Sequence, residues 1–148
     1  MISRLELTRT WSDDDLAQVT FVVCDGVSTF TNEAYVPLDW GTVTAKALHA
    51  FGRRVHGGLF DLQAGDEGPE FASGAIRARF HWYKPDQLLI STRQQGSYFP
   101  FKGSTTATEA RLFLRTEAAL LDRFVASLPA LDIRGSETIT LECVELAR

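Results

Sequence analysis

Residues 76–83 read Ile-Arg-Ala-Arg-Phe-His-Trp-Tyr, and this alternation limits the fold more than any other stretch of the chain. In an extended strand, successive side chains point to opposite faces. Ile76, Ala78, Phe80 and Trp82 would then share one face, and Arg77, Arg79, His81 and Tyr83 the other. A strand that is apolar on one side and basic on the other needs one buried and one wet face, which antiparallel sheets provide. Lys84-Pro85-Asp86 reads as a turn into a second strand at 87–95, so a hairpin is predicted, with its register left open.

The remaining segments fit the same class. Strands are expected at 4–10, 17–24 and 27–35, with Asp25-Gly26 as a hairpin signal. Pro37 and Asp39 open a helical pattern in which Trp40, Val43, Ala47, Leu48, Phe51 and Val55 share one face, and Gly57-Gly58 closes it. Further strands are expected at 59–64, 70–83 and 107–115. Thr116 and Glu117 then start a second helix, with an apolar stripe of Leu120, Leu121, Phe124, Val125 and Leu128. Pro129 stops that helix, and 138–144 supplies a last strand. There is no internal repeat, and the breaks at 13–15, 65–69 and 96–106 read as loops. The expectation is a single α+β domain over 1–148: a mainly antiparallel sheet of about seven to eight strands, with two amphipathic helices packed on one face.

Composition narrows the partners. A formal net charge of -4 gives no general attraction for phosphates or anionic lipid, so any such binding needs a local patch. The first residues lack the apolar core of a signal peptide, and the longest aliphatic stretch, 19–24, is far short of a membrane span. A cytoplasmic protein is expected, with no membrane partner and with Cys24 and Cys143 as buried reduced thiols.

The motif search excludes more than it finds. There is no Gly-x-Ser-x-Gly elbow, Gly-x-Gly-x-x-Gly turn, His-Glu-x-x-His helix or calcium loop. Lys102-Gly103-Ser104-Thr105 has the letters of a phosphate loop in the wrong order. His49 and His56 are two helical turns apart, too far to share a metal, and with Lys46 and Arg53 they read as a solvated basic stripe or an acidic-partner surface. No metal and no cofactor are therefore expected. Asp61, Asp66, Glu67 and Glu70 read as caps, turns and solubility.

Two features carry candidate sites. Arg77, Arg79 and His81 point the same way, and some registers bring Arg93 beside them. The row is either a solvated strand face or a site for a carboxylate, a phosphate or an acidic protein surface. Residues 94–103 carry Tyr98, Phe99 and Phe101 between glycines. Either this loop folds back so that Phe99 or Phe101 caps the core, or it exposes an aromatic edge to a partner or a second copy.

From the meander through the helix at 40–55, the hairpin of 71–83 and 87–95 and the strand-helix unit at 112–128, the order of elements resembles small uncharacterised bacterial single-domain proteins. Some of these look like immunity proteins of toxin systems. The resemblance implies a non-enzymatic binding role and carries over no functional residue. The leading expectation is a protein-protein binding module, acting as a homodimer or against a partner, with enzyme status left open. The alternative is a small anionic-ligand-binding protein or enzyme with a pocket between the sheet and the 94–106 loop, using Arg77, Arg79 and His81. RNA on the basic face, stacked on Tyr83 and Tyr98, is a third reading that the negative net charge opposes.

Overall fold

In the computed structural model, which describes residues 2–53, 58–70, 73–133 and 138–146, the alternating strands divide between two main sheets. In chain order, β1 (Arg4–Ser12), β2 (Leu16–Cys24) and β3 (Thr29–Pro37) are followed by α1 (Trp40–Gly52). Next come β4 (Leu59–Ala64), β5 (Ala75–Lys84), β6 (Gln87–Gln95), β7 (Phe99–Phe101), β8 (Ser104–Thr106) and β9 (Glu109–Thr116). The chain continues through α2 (Ala118–Ser127), a 3-10 turn at Leu128–Asp132 and β10 (Thr138–Glu142).

The first sheet has the order β10-β1-β2-β3, the second β4-β5-β6-β9, and β7 pairs only with β8. All of these pairings are antiparallel. The expected single sheet of about seven to eight strands is thus corrected to ten strands in three sheets among the described residues. Alternation reveals a buried face but not the neighbour a strand pairs with, and β7 and β8, three residues each, are too short to show a period.

The placement of the helices is corrected as well. They close a core shared by the two sheets and do not lie on one face of one sheet. Phe21 and Leu7 of the first sheet, Phe80, Ile90 and Leu114 of the second, and Leu48, Leu121 and Phe124 of the helices belong to one buried cluster. α1 touches both sheets. Trp40 meets Phe21 edge-on at 6.0 Å and donates from Nε1 to the Gln63 carbonyl at 3.0 Å, while Phe51 stacks on Trp82 at 6.2 Å. Each sheet keeps its other face toward solvent.

The buried face of α1 is rotated from the expected one. Trp40, Thr44, Ala45, Leu48 and Phe51 are buried, whereas Ala47 is exposed and Val43 is 56% exposed; Val55 lies outside the described residues. The cause is long-range. The Gly41 and Thr42 amides donate to the two carboxylate oxygens of Asp132 at 2.7 and 2.6 Å, so the first turn is oriented by a residue after α2. A Cβ on Gly41 would stand 2.6 Å from the Leu128 carbonyl oxygen, which leaves no room for a side chain. Asp39 makes no side-chain cap. The Thr116 hydroxyl, expected to cap α2, instead donates to the Glu142 carbonyl at 2.8 Å, and the Ala118 amide donates to Asp86 at 2.9 Å.

A buried amide pair joins the sheets. Asn32 of β3 donates to the Ala75 and Gln95 carbonyls at 2.9 and 3.0 Å, and Gln94 of β6 donates to Asn32 Oδ1 at 2.9 Å. Gly74, with φ +104°, permits this approach, because a Cβ there would stand 2.3 Å from the Glu33 carbonyl oxygen. Cys24 is buried, Cys143 is partly buried, and both are free; burial pushes the Cys143 thiol up to about 12. No helix among the described residues is long and apolar enough to cross a membrane.

Phe124→Ala is expected to lower stability by about 3–5 kcal/mol, as for other buried phenylalanines. Asp132→Ala should lower it by about 1–2 kcal/mol through loss of the α1 cap. Urea unfolding of both variants measures this, and an Asp132→Ala loss below about 0.3 kcal/mol would show that α1 starts equally well without the carboxylate.

Candidate anion-binding face

The register of the second sheet determines which basic side chains meet on its outer face. Gln63 lies opposite Arg77, Arg77 opposite Arg93, and Arg93 opposite Arg111. Three arginines therefore stand side by side on β5, β6 and β9, with neighbouring strands about 4.8 Å apart. In the next row Asp61, Arg79, Ser91 and Phe113 follow one another, and in the row after that Leu59, His81, Leu89 and Arg115.

Like charges directly opposite one another destabilise a sheet, and part of this row is neutralised by carboxylates. Arg93 reaches Glu109 at 3.1 Å and Glu67 at 3.4 Å. The bond to Glu109, then the charges of Glu67 and Glu109, raise its pKa further above an already high value. Arg79 forks onto Asp61, Nε to Oδ1 at 2.8 Å and a terminal nitrogen to Oδ2 at 3.0 Å. That hydrogen bond, aided by the charges of Arg79 and Arg77 and opposed by burial, holds the Asp61 carboxyl below its ordinary value. Among the described residues, Arg77 and Arg111 make no ion pair within 4.0 Å.

The result is an open basin of about 620 Å³ lined by Arg77, Arg79, Ser91, Arg93, Glu109 and Arg111, together with Thr92 and Ala110. Its lining offers guanidinium, hydroxyl and carboxylate groups but no imidazole or thiol. Of the expected residues, Arg77, Arg79 and Arg93 are brought together; His81 is exposed one row away and does not line the basin. Arg111 was not anticipated, although Arg111, Phe113 and Arg115 alternate with Leu112 and Leu114 just as the basic residues of 76–83 alternate with their apolar neighbours.

The aromatic loop forms a separate feature. The Gly96 amide donates to the Thr108 carbonyl at 2.8 Å, and beyond this bond β7 and β8 continue as a ribbon closed by Lys102-Gly103. Both turn residues have positive φ, 47° and 79°, as a two-residue hairpin turn of this hand requires. Phe99 and Phe101 are exposed, so of the two readings of this loop the one in which either caps the core is excluded. Tyr98 is half-buried, with its hydroxyl 3.3 Å from Gln95 Oε1. None of these three residues lines the arginine basin.

On the helical side, His49 and Arg53 border a shallow groove with Asp122 and Val125, and His56 lies outside the described residues. No group of three His, Cys, Asp or Glu side chains placed to hold a metal occurs among the described residues. No protein-family model matches the chain, nor does any curated protein or solved structure.

Because its pKa is lowered, the ionised Asp61 stabilises the fold above the unfolded-state value, and this contribution fades as pH falls through the lowered folded-state value. Both partners are partly exposed, so the contribution is small. In Arg79→Ala the Asp61 carboxyl is expected to titrate at higher pH in a carboxyl-detected NMR titration. An unchanged midpoint would show that Arg79 does not hold it.

Proposed function

We propose that the chain is a non-enzymatic binding module that docks an acidic protein partner on the outer face of its second sheet. The observation that carries this reading is the row Arg77-Arg93-Arg111, whose outer two members make no ion pair within 4.0 Å among the described residues. A guanidinium fork matches a carboxylate in two hydrogen bonds, and Arg79 with Asp61 makes such a pair on this same face.

The shape of the basin favours a macromolecule. A small-ligand site encloses most of its occupant, whereas this basin is open along the sheet. Exposed Phe113 and Leu59 lie on the same face, and arginine beside exposed aromatic surface is typical of the residues that dominate protein interfaces. The net charge of -4 opposes a long polyanion such as RNA, which would extend past the basic face. The free thiols fit a reducing compartment, and the cytoplasm is the proposed location.

Fluorescence anisotropy with a labelled oligoglutamate peptide of about ten residues tests the reading at low and high salt. Saturable binding that weakens with salt is expected, and Arg77→Ser with Arg111→Ser should reduce affinity about tenfold or more without changing the melting temperature. Equal binding by the double variant, or none by the parent chain, would defeat the proposal. Tighter binding of a single-stranded RNA than of oligoglutamate would replace the acidic protein by nucleic acid.

A further inference from the structure

A second apolar surface lies on the outer face of the first sheet, and a bulge creates it. Leu5, Leu7 and Arg9 of β1 share the inward side, and uninterrupted alternation would place Trp11 there too. The register shifts between Arg9 and Trp11, which brings Trp11 opposite Gln18 and turns it outward. Bulges re-aim side chains in this way. Trp11 then meets Tyr35 edge-on at 6.2 Å across Gln18, and the two rings stay 48% and 38% exposed. Glu33, two residues from Tyr35 on β3, shares this outer face. Between this patch and the root of the β7–β8 ribbon runs a groove of about 510 Å³, lined by Gln18, Thr31, Glu33, Tyr35, Ser73 and Ser97 together with Asn32 and Gly96.

The ribbon carries complementary chemistry. Phe99 and Phe101 alternate, so they share one ribbon face, and they are 43% and 56% exposed. Lys102 at the tip holds its ammonium 5.7 Å from the Phe101 ring centroid. A two-stranded ribbon this short is marginal without a cover. Pro100 takes one backbone donor from β7, so side chains rather than edge hydrogen bonds are suited to make the contact. Gly96 and Ser97 line the groove but residues 99–106 do not, so the ribbon leaves the groove beside its own root.

We propose that the occupant is a second copy of the chain. Each copy seats Phe99 and Phe101 against Trp11 and Tyr35 of the other, with Lys102 facing Glu33, in a two-fold dimer with two identical arm-in-groove contacts. The arginine basin takes no part, so this contact and the acidic-partner reading can fail independently.

Light scattering coupled to size-exclusion chromatography, with sedimentation equilibrium for affinities, tests the dimer at about 100 µM chain. The parent chain is expected to run as a dimer that dissociates on dilution. Phe99→Ser with Phe101→Ser should give a monomer with unchanged circular dichroism and the melting temperature of the parent chain diluted until it is monomeric. Glu33→Lys and Lys102→Glu should each weaken dimerisation about two- to fivefold, the scale of an exposed ion pair, and the two together should restore it. A monomeric parent chain, or a dimer unaffected by the double Ser variant, would overturn the proposal. Failure of the charge-swapped double variant to recover would do the same, because it would remove the groove as the seat of the arm.

Discussion

The contact between Asn32 and Gln94 determines where everything else in this molecule lies. Both side chains are buried, and a buried amide is costly unless it is hydrogen-bonded. Asn32 meets the requirement by reaching across from β3 to the Ala75 and Gln95 carbonyls, and the Gln94 amide nitrogen meets it by reaching back to Asn32 and the Phe30 carbonyl, while Gln94 Oε1 has no partner among the described residues. In a low-dielectric interior such bonds are strong and geometrically demanding. They specify one approach of the first sheet to the second where apolar packing alone would accept several. Gly74 is the steric counterpart: the backbones come close enough there to exclude even a methyl group. With that seam set, the inner faces share one core and the outer faces remain for partners.

The arginine row depends on a second constraint, the turn between β5 and β6. Asp86 sits there with φ +59°, and the register slips once between Trp82 and Lys84 before settling into the pairs that place Arg77 opposite Arg93. A further slip by one residue would send Arg93 to the core side, where an uncompensated guanidinium is far too costly. The same Asp86 accepts from the Ala118 amide, so one turn sets both the register of the basic face and the start of α2.

Local patterns were legible and long-range ones were not. The alternation at 76–83 identified β5, its buried face and its outward arginines, because side-chain direction in a strand follows from chain position alone. It could not reveal that β10 crosses the chain to pair with β1, because pairing belongs to two segments and the apolar pattern of 138–144 fits either sheet. The rotation of α1 was hidden for a related reason: Val43 and Thr44 look respectively buried and exposed by hydropathy, yet Asp132, 91 residues from Gly41, reverses them. Arg111 was legible in its own strand as alternation, but its place beside Arg93 emerges only from the register of β6 and β9. The outward turn of Trp11 is a bulge, which leaves little trace in composition.

The carboxylates on the basic face do more than relieve repulsion. Asp61 occupies one edge of the Arg79 guanidinium, and Glu67 and Glu109 share Arg93, so an incoming anion must displace a built-in carboxylate or bind against its repulsion to use either arginine. Arg77 and Arg111 require no such displacement. They flank Arg93 one strand away on each side, so their stems rise about 10 Å apart, twice the spacing between strands. A single small anion could engage one of them at a time or draw both long side chains inward at an entropic cost. Two carboxylates held apart on a protein surface meet both without that cost. The internal carboxylates thereby turn a row of three positive charges into two separated sockets, which favours a partner by the spacing of its acidic groups and not by its total charge.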